Sequence, residues 1–232
     1  MSARLTRLSV LAVAGFSLAM LSSAAIAANV IVVRSSGPSA KVYPPGKTIA
    51  GSSKIALMPG DSLTLIGSSS ARTLRGPGTF PASATGSESL AMVANRRSRF
   101  GALRAADYPQ NPNPWNVDIS KGGKICVVDP SSMMLWRPYS ADATHLRIMP
   151  SSGAAQTVDW AEGQATMRWP AQLPIADGSQ YKLEADGADP VPVSFVRVNG
   201  APEDMVAAAQ ALIDKGCDSQ LDALVKGLDK KQ

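Results

Sequence analysis

The chain has 232 residues, 45% of them hydrophobic and 18% charged, with 19 glycines, 17 prolines, two cysteines and one histidine. Such a composition belongs to a globular chain with many turns between short strands, and it excludes a His/Cys set able to fill a tetrahedral metal shell. The net charge of +5 is divided unevenly: ten basic residues stand against two acidic ones between positions 28 and 106, and eleven against sixteen from position 107 onward.

Residues 1–27 have the three parts of a cleavable secretory leader. Arg4 and Arg7 form a basic start, Leu8 to Leu21 an apolar run, and Ala25 and Ala27 the small residues that a signal peptidase accepts, so cleavage is expected before Ala28. The other reading, a retained membrane anchor, has too short a run for the ~20 residues that span a bilayer. No cysteine lies near the cleavage point and no twin-arginine pair precedes it, which points to general export and a periplasmic location with no retained transmembrane helix. That compartment removes nucleic acid from the partners to be considered.

The first part of the exported chain reads as a small β module, residues 28–81. Strands are expected at Val30 to Arg34, Lys41 to Tyr43, Lys54 to Leu57, Ser62 to Ile66 and Ala71 to Arg75, separated by Pro44-Pro45-Gly46 and Pro59-Gly60-Asp61 and closed by Gly76-Pro77-Gly78. Asp61 is placed to cap its turn. Residues Ile55 to Ile66 (IALMPGDSLTLI) and Ala71 to Phe80 (ARTLRGPGTF) resemble the glycine-aspartate turns of FecR-like domains. The resemblance covers about 50 residues of turn chemistry. It implies an extracytoplasmic module used in sensing and signalling, and it brings no catalytic residues. The chain departs from FecR proper in having no cytoplasmic anti-sigma region, so direct sigma-factor control is not expected.

Residues 82–114 read as a helical basic segment followed by a linker. Thr85 and Glu88 can form a capping box, Leu90, Val93 and Ala94 share a helical face, and Arg96, Arg97, Arg99 and Arg104 follow as a cluster. The cluster is either a solvated helix end or a docking patch for a phosphate or carboxylate partner. Pro109, Pro112 and Pro114, with Asn111 and Asn113 between them, then make an extended linker and a domain boundary.

From 115 to 200 the spacing predicts an antiparallel β-sandwich. Its strands are expected at Trp115 to Ile119, Lys124 to Val128, Met133 to Arg137, His145 to Met149, Gln156 to Trp160, Ala165 to Trp169, Tyr181 to Ala185 and Val191 to Val198. Residues 201–232 then form helices packed on the sandwich, with Met205, Ala208, Ala209, Leu212 and Ile213 in one stripe, a break at Gly216, and Leu221, Leu224, Val225 and Leu228 in a second. The stretches RTLRGPG (72–78), LWRP (135–138) and MRWPAQLPIADGSQYKL (167–183) make the whole similar to uncharacterised secreted proteins of Gram-negative bacteria that pair a FecR-like module with such a sandwich. Some of those are encoded beside CHASE-type sensors, which implies a membrane-bound sensor as partner.

In an oxidising compartment an even pair of cysteines reads as a disulfide, so Cys126 is expected to bond Cys217, with two buried free thiols as the other possibility. His145 has no Gly-x-Ser-x-Gly elbow to serve, and Asp118, Asp129, Asp142, Asp159 and Glu162 are more useful as turn caps than as a catalytic pair. No catalytic residue, metal or cofactor is therefore assigned. Trp115, Trp136, Trp160 and Trp169 are expected in the sandwich core, although one or two exposed on a single face could stack on sugars. The basic first half either pairs with the acidic second half or faces an anionic partner. The resulting expectation is a mainly β, non-enzymatic interaction or sensory accessory module that contacts a membrane sensor or an anionic envelope component. The alternative is a glycan-binding protein for peptidoglycan or lipopolysaccharide.

Overall fold

A computed structural model describes residues 28–83 and 109–229. The expected leader (1–27), the capping box and helix after Thr85, and the cluster Arg96, Arg97, Arg99 and Arg104 lie outside the described residues.

Six strands make the N-terminal unit: β1 (Val30–Ser36), β2 (Thr48–Ile49), β3 (Lys54–Leu57), β4 (Ser62–Ile66), β5 (Ala71–Arg75) and β6 (Gly78–Pro81). They form an antiparallel sheet in the order β2-β1-β4-β5 and a separate β3-β6 pair. The run VIVV in β1 has no polar position because both faces of its sheet are covered. Val30 and Val32 pack with Ile55, Leu57, Leu63, Leu65 and Leu74 towards the β3-β6 pair, while Ile31 and Val33 point the opposite way. Thr64 and Thr73 face each other across β4 and β5, and their hydroxyls hydrogen-bond at 2.9 Å.

Lys41 to Tyr43, expected as a strand, is instead the end of a 3-10 turn, Pro38–Lys41, with Val42 as its C-cap. The local alternation is overridden by two constraints. Proline opens the turn, and Gly37 before it has φ +93, where a Cβ would stand 2.5 Å from Asp61 Oδ1.

The second unit contains β7 (Val117–Asp118), β8 (Gly123–Val127), β9 (Met134–Trp136), β10 (Thr144–Pro150), β11 (Gln156–Trp160), β12 (Thr166–Arg168), β13 (Gln180–Ala185) and β14 (Val191–Arg197). A five-stranded sheet in the order β11-β10-β13-β14-β8 and a three-stranded sheet in the order β12-β9-β7 enclose a core of Ile125, Val127, Leu135, Leu146, Ile148, Trp160, Leu183 and Phe195. This is the expected sandwich-like arrangement, with one difference. Most pairings are antiparallel, but β8 lies parallel to β14 and β7 parallel to β9. Parallel neighbours need a long connection, and the chain between β8 and β14 meets that need by building the rest of the sandwich.

Two helices follow, α1 (Met205–Lys215) and α2 (Asp218–Asp229). Asp204 caps α1 by accepting a hydrogen bond from Ala207 N at 2.7 Å, and Gly216 ends it in the left-handed region at φ +71. Their apolar stripes form one core between the two β units, in which Ala208, Ala209, Leu212, Leu221, Leu224, Val225 and Leu228 meet Ile31, Val33, Ile66 and Ala71 on one side and Cys126 and Val198 on the other. The helices thus cover the sandwich, as expected, and the N-terminal sheet as well.

Cys126 is bonded to Cys217 at the junction of α1 and α2. Beside it, the buried side chain of Gln220 accepts a hydrogen bond from Cys126 N at 2.6 Å and donates one to Cys126 O at 3.0 Å. The disulfide spans 91 residues, and closing so long a loop removes unfolded-state entropy equivalent to about 4 kcal/mol. Replacing both cysteines by alanine should lower stability by about 2–4 kcal/mol in urea unfolding. Gln220→Leu, which strands a buried N–H and C=O, should cost about 2 kcal/mol or more with the disulfide intact.

Candidate functional site

Several residue types that could carry chemistry are held in structural roles. Asp118 accepts hydrogen bonds from the backbone and hydroxyl of Ser120. Asp129 accepts from the hydroxyl and backbone of Ser131, which hold its carboxyl below the usual range. Trp169 packs edge-on to Tyr181 and Phe195 at centroid distances of 5.1 and 5.0 Å, and its Nε1 donates to Leu173 O. Trp136 and Trp160 are buried, and Trp115 is half-buried against the helix core. Arg137 lies 5.2 Å over the Trp160 ring and donates to the carbonyls of Ala161, Asp142 and Gln164. No two tryptophans therefore offer one exposed face for stacking on a sugar.

His145 sits on the outer face of the five-stranded sheet between two acids. Its Nδ1 lies 2.8 Å from Asp186 Oδ2 and its Nε2 3.6 Å from Asp159 Oδ1. The Asp186 oxygen also accepts the His145 backbone N–H. The hydrogen bond and charge of Asp186 raise the imidazole above its ordinary value of 6.5, with a smaller contribution from Asp159. Among the described residues no serine, threonine or cysteine side chain hydrogen-bonds this ring, whose partners are the two carboxylates. Open clefts of about 610 Å³ flank the sheet, one reaching Lys124, Lys182 and Ser194 and the other Tyr139, Asp142 and Asp189.

The strongest concentration of like charge lies on the N-terminal unit. Residues 28–83 carry Arg34, Lys41, Lys47, Lys54, Arg72 and Arg75 against a single acid, Asp61. Arg34 pairs with Asp222 of α2, and Arg72 donates to the carbonyls of Pro81 and Ala82. Lys41, Lys47, Lys54 and Arg75 are exposed, and none of them has a carboxylate within ion-pair distance among the described residues. Among the described residues one ion pair, Arg34 with Asp222, joins the basic and acidic halves, and Lys41, Lys47, Lys54 and Arg75 are exposed.

Asp61 cannot offset that charge at the surface, because it is 4% exposed and engaged by backbone. Its Oδ1 accepts from Ser39 N at 2.9 Å and its Oδ2 from Met58 N at 2.5 Å. Burial acts to raise its pKa, but the hydrogen bonds from Ser39 and Met58 outweigh it and leave the carboxyl below its usual value. One carboxylate thereby ties the 38–47 loop to the 58–61 turn. Sequence reasoning expected Asp61 to cap its turn but not the tie to Ser39, which depends on a contact across 22 residues.

No protein-family model matches the chain, and neither the curated proteins nor the solved structures contain a significant match.

Asp61→Asn keeps the shape but turns one acceptor into a donor facing a backbone N–H, so its melting temperature should fall at neutral pH. A depressed carboxylate contributes stability above its unfolded pKa of about 3.9, and that contribution is lost as pH falls through the folded value, so the gap to wild type should narrow in acid. For His145 the sign is opposite. A raised imidazole stabilises the fold below its unfolded pKa, with the contribution lost as pH rises through the folded value. Titration by nuclear magnetic resonance should place His145 above 6.5, and Asp186→Asn should lower it.

Proposed function

We propose that this protein is an exported, periplasmic, non-enzymatic interaction or sensory accessory module that docks on a membrane sensor or an anionic envelope component through its N-terminal β unit. The observation that carries this reading is the unneutralised set Lys41, Lys47, Lys54 and Arg75 on a unit whose single acid is buried. Such a field raises the encounter rate with anionic surfaces and gives binding that weakens with salt. The Cys126–Cys217 bond supports folding in an oxidising compartment. The FecR-like character of the turns between Ile55 and Phe80 supports a sensing role.

Rigidity supports the same reading. A partner that docks on the N-terminal unit also touches a body continuous with the sandwich, because α1 and α2 share one core with both. A force or rotation applied at one β unit is passed to the other through packed side chains. This suits an accessory that must hold a partner in a fixed orientation.

The alternative, a glycan-binding protein, retains the basic face but lacks a tryptophan platform, since Trp136, Trp160 and Trp169 are core residues. Photo-crosslinking from position 54 in intact cells, followed by membrane extraction, should give an adduct with a membrane protein or envelope component that disappears when Lys41 and Arg75 are replaced by alanine. Recovery of the protein alone would reject the interaction reading. Salt-sensitive retention on purified peptidoglycan or lipopolysaccharide, without a protein adduct, would select the alternative.

A further inference from the structure

Two large apolar side chains stand exposed at loop tips of the N-terminal unit. Val42 and Met58 are each 56% exposed, and the Asp61 carboxylate ties the turns that carry them. Val42 N donates to Ser39 O at 3.0 Å within the same turn whose Ser39 N binds Asp61. Lys47 Nζ donates to Val42 O at 2.7 Å and lies 5.3 Å over the ring of Tyr43, whose hydroxyl accepts from Ala56 N in β3. The two tips, Lys47 and β3 are therefore joined by direct contacts.

Resting on the reading of this unit as the docking face, we infer that its partner is an anionic lipid surface, with Val42 and Met58 entering the headgroup boundary while Lys41 and Lys54 bind lipid phosphates. The chemistry favours a bilayer over a soluble polyanion or an acidic protein surface strewn with charge. A polyanion satisfies the cations but gives the two apolar tips nothing to enter. A bilayer offers negative charge at its surface and an apolar medium 5–10 Å deeper. The absence of an exposed carboxylate among residues 28–83 removes the repulsion that such a surface would otherwise meet. Because the Asp61 tie holds the tips in place before contact, little conformational freedom is lost on docking.

The two contributions separate in experiment. Protein purified from the exported fraction of cells expressing the full chain is mixed with vesicles of equal parts phosphatidylglycerol and phosphatidylethanolamine, and with pure phosphatidylcholine vesicles, and the bound fraction is read by sedimentation. Binding is expected to the anionic vesicles and to fall as salt rises. Each cation removed should weaken it about fivefold, so Lys41→Ala with Lys54→Ala should cost about twenty-five-fold. Val42→Ser with Met58→Ser should cost about tenfold and leave the salt dependence unchanged. Unchanged thermal unfolding of both surface variants checks that they fold. No preference for anionic vesicles, or full binding by the Lys41/Lys54 variant, overturns the inference. So does equal binding of wild type and the Val42/Met58 variant, which would mark a purely electrostatic face. If vesicles fail while the crosslink from position 54 to a membrane protein persists, the lipid surface alone is rejected; if both fail, the docking role of the unit falls with it.

Discussion

The helix-filled core between the two β units is the constraint on which the rest of this structure depends. Among the described residues, Ile31 and Val33 and the outward face of β8 at Cys126 are covered by this core. A sheet buried on both sides must be apolar on both sides, which explains the unbroken VIVV of β1 and the fully buried triplet Ile125, Cys126 and Val127 of β8. The helices have the complementary need. Each has an apolar stripe that a single sheet would leave partly wet, and the cleft between the two sheets encloses it.

This arrangement joins residues far apart in the chain. The face of β1 near residue 31 is completed by side chains from 208 to 228, so the shared core forms only when both ends of the folded region are present. Contacts of such long separation slow folding, because loop-closure entropy is lost before they form. The cysteine bond lies where that difficulty is greatest, holding the start of α2 against β8 and shortening the search for the remaining contacts. The ion pair between Arg34 and Asp222 sits on the rim of the same junction and, being exposed, adds orientation more than stability.

Local features were legible in the sequence, and contacts between distant segments were not. Lys54–Leu57, Ser62–Ile66, Ala71–Arg75 and Gln156–Trp160 have the expected bounds, because alternation and flanking turn residues act within a few positions. Helix α1 likewise begins and ends at its own cap residues, Asp204 and Gly216. Lys41 to Tyr43 failed because a carboxylate twenty residues away reshapes that loop, and β2 was passed over because two residues carry no periodicity. The parallel placement of β8 beside β14 depends on a pairing that neither strand encodes alone. At the candidate site the excess of lysine and arginine could be counted, whereas which of them are neutralised could not. Arg34 and Arg72 are engaged and Lys54 and Arg75 are not, a distinction made by Asp222 and by the carbonyls of residues 81 and 82.

The paired hydrogen bonds between Gln220 and Cys126 bear on how the molecule avoids its own kind. β8 is the last strand of its sheet, and a margin of unpaired backbone groups is a template on which another chain can add a strand. The amide of Gln220 has the same donor and acceptor as a peptide group and occupies the position of a neighbouring strand at that residue. The helix that carries it closes the approach around it. Growth of this five-stranded sheet by self-association is thus obstructed on the β8 side, which leaves β11 as the margin of that sheet where a strand could add.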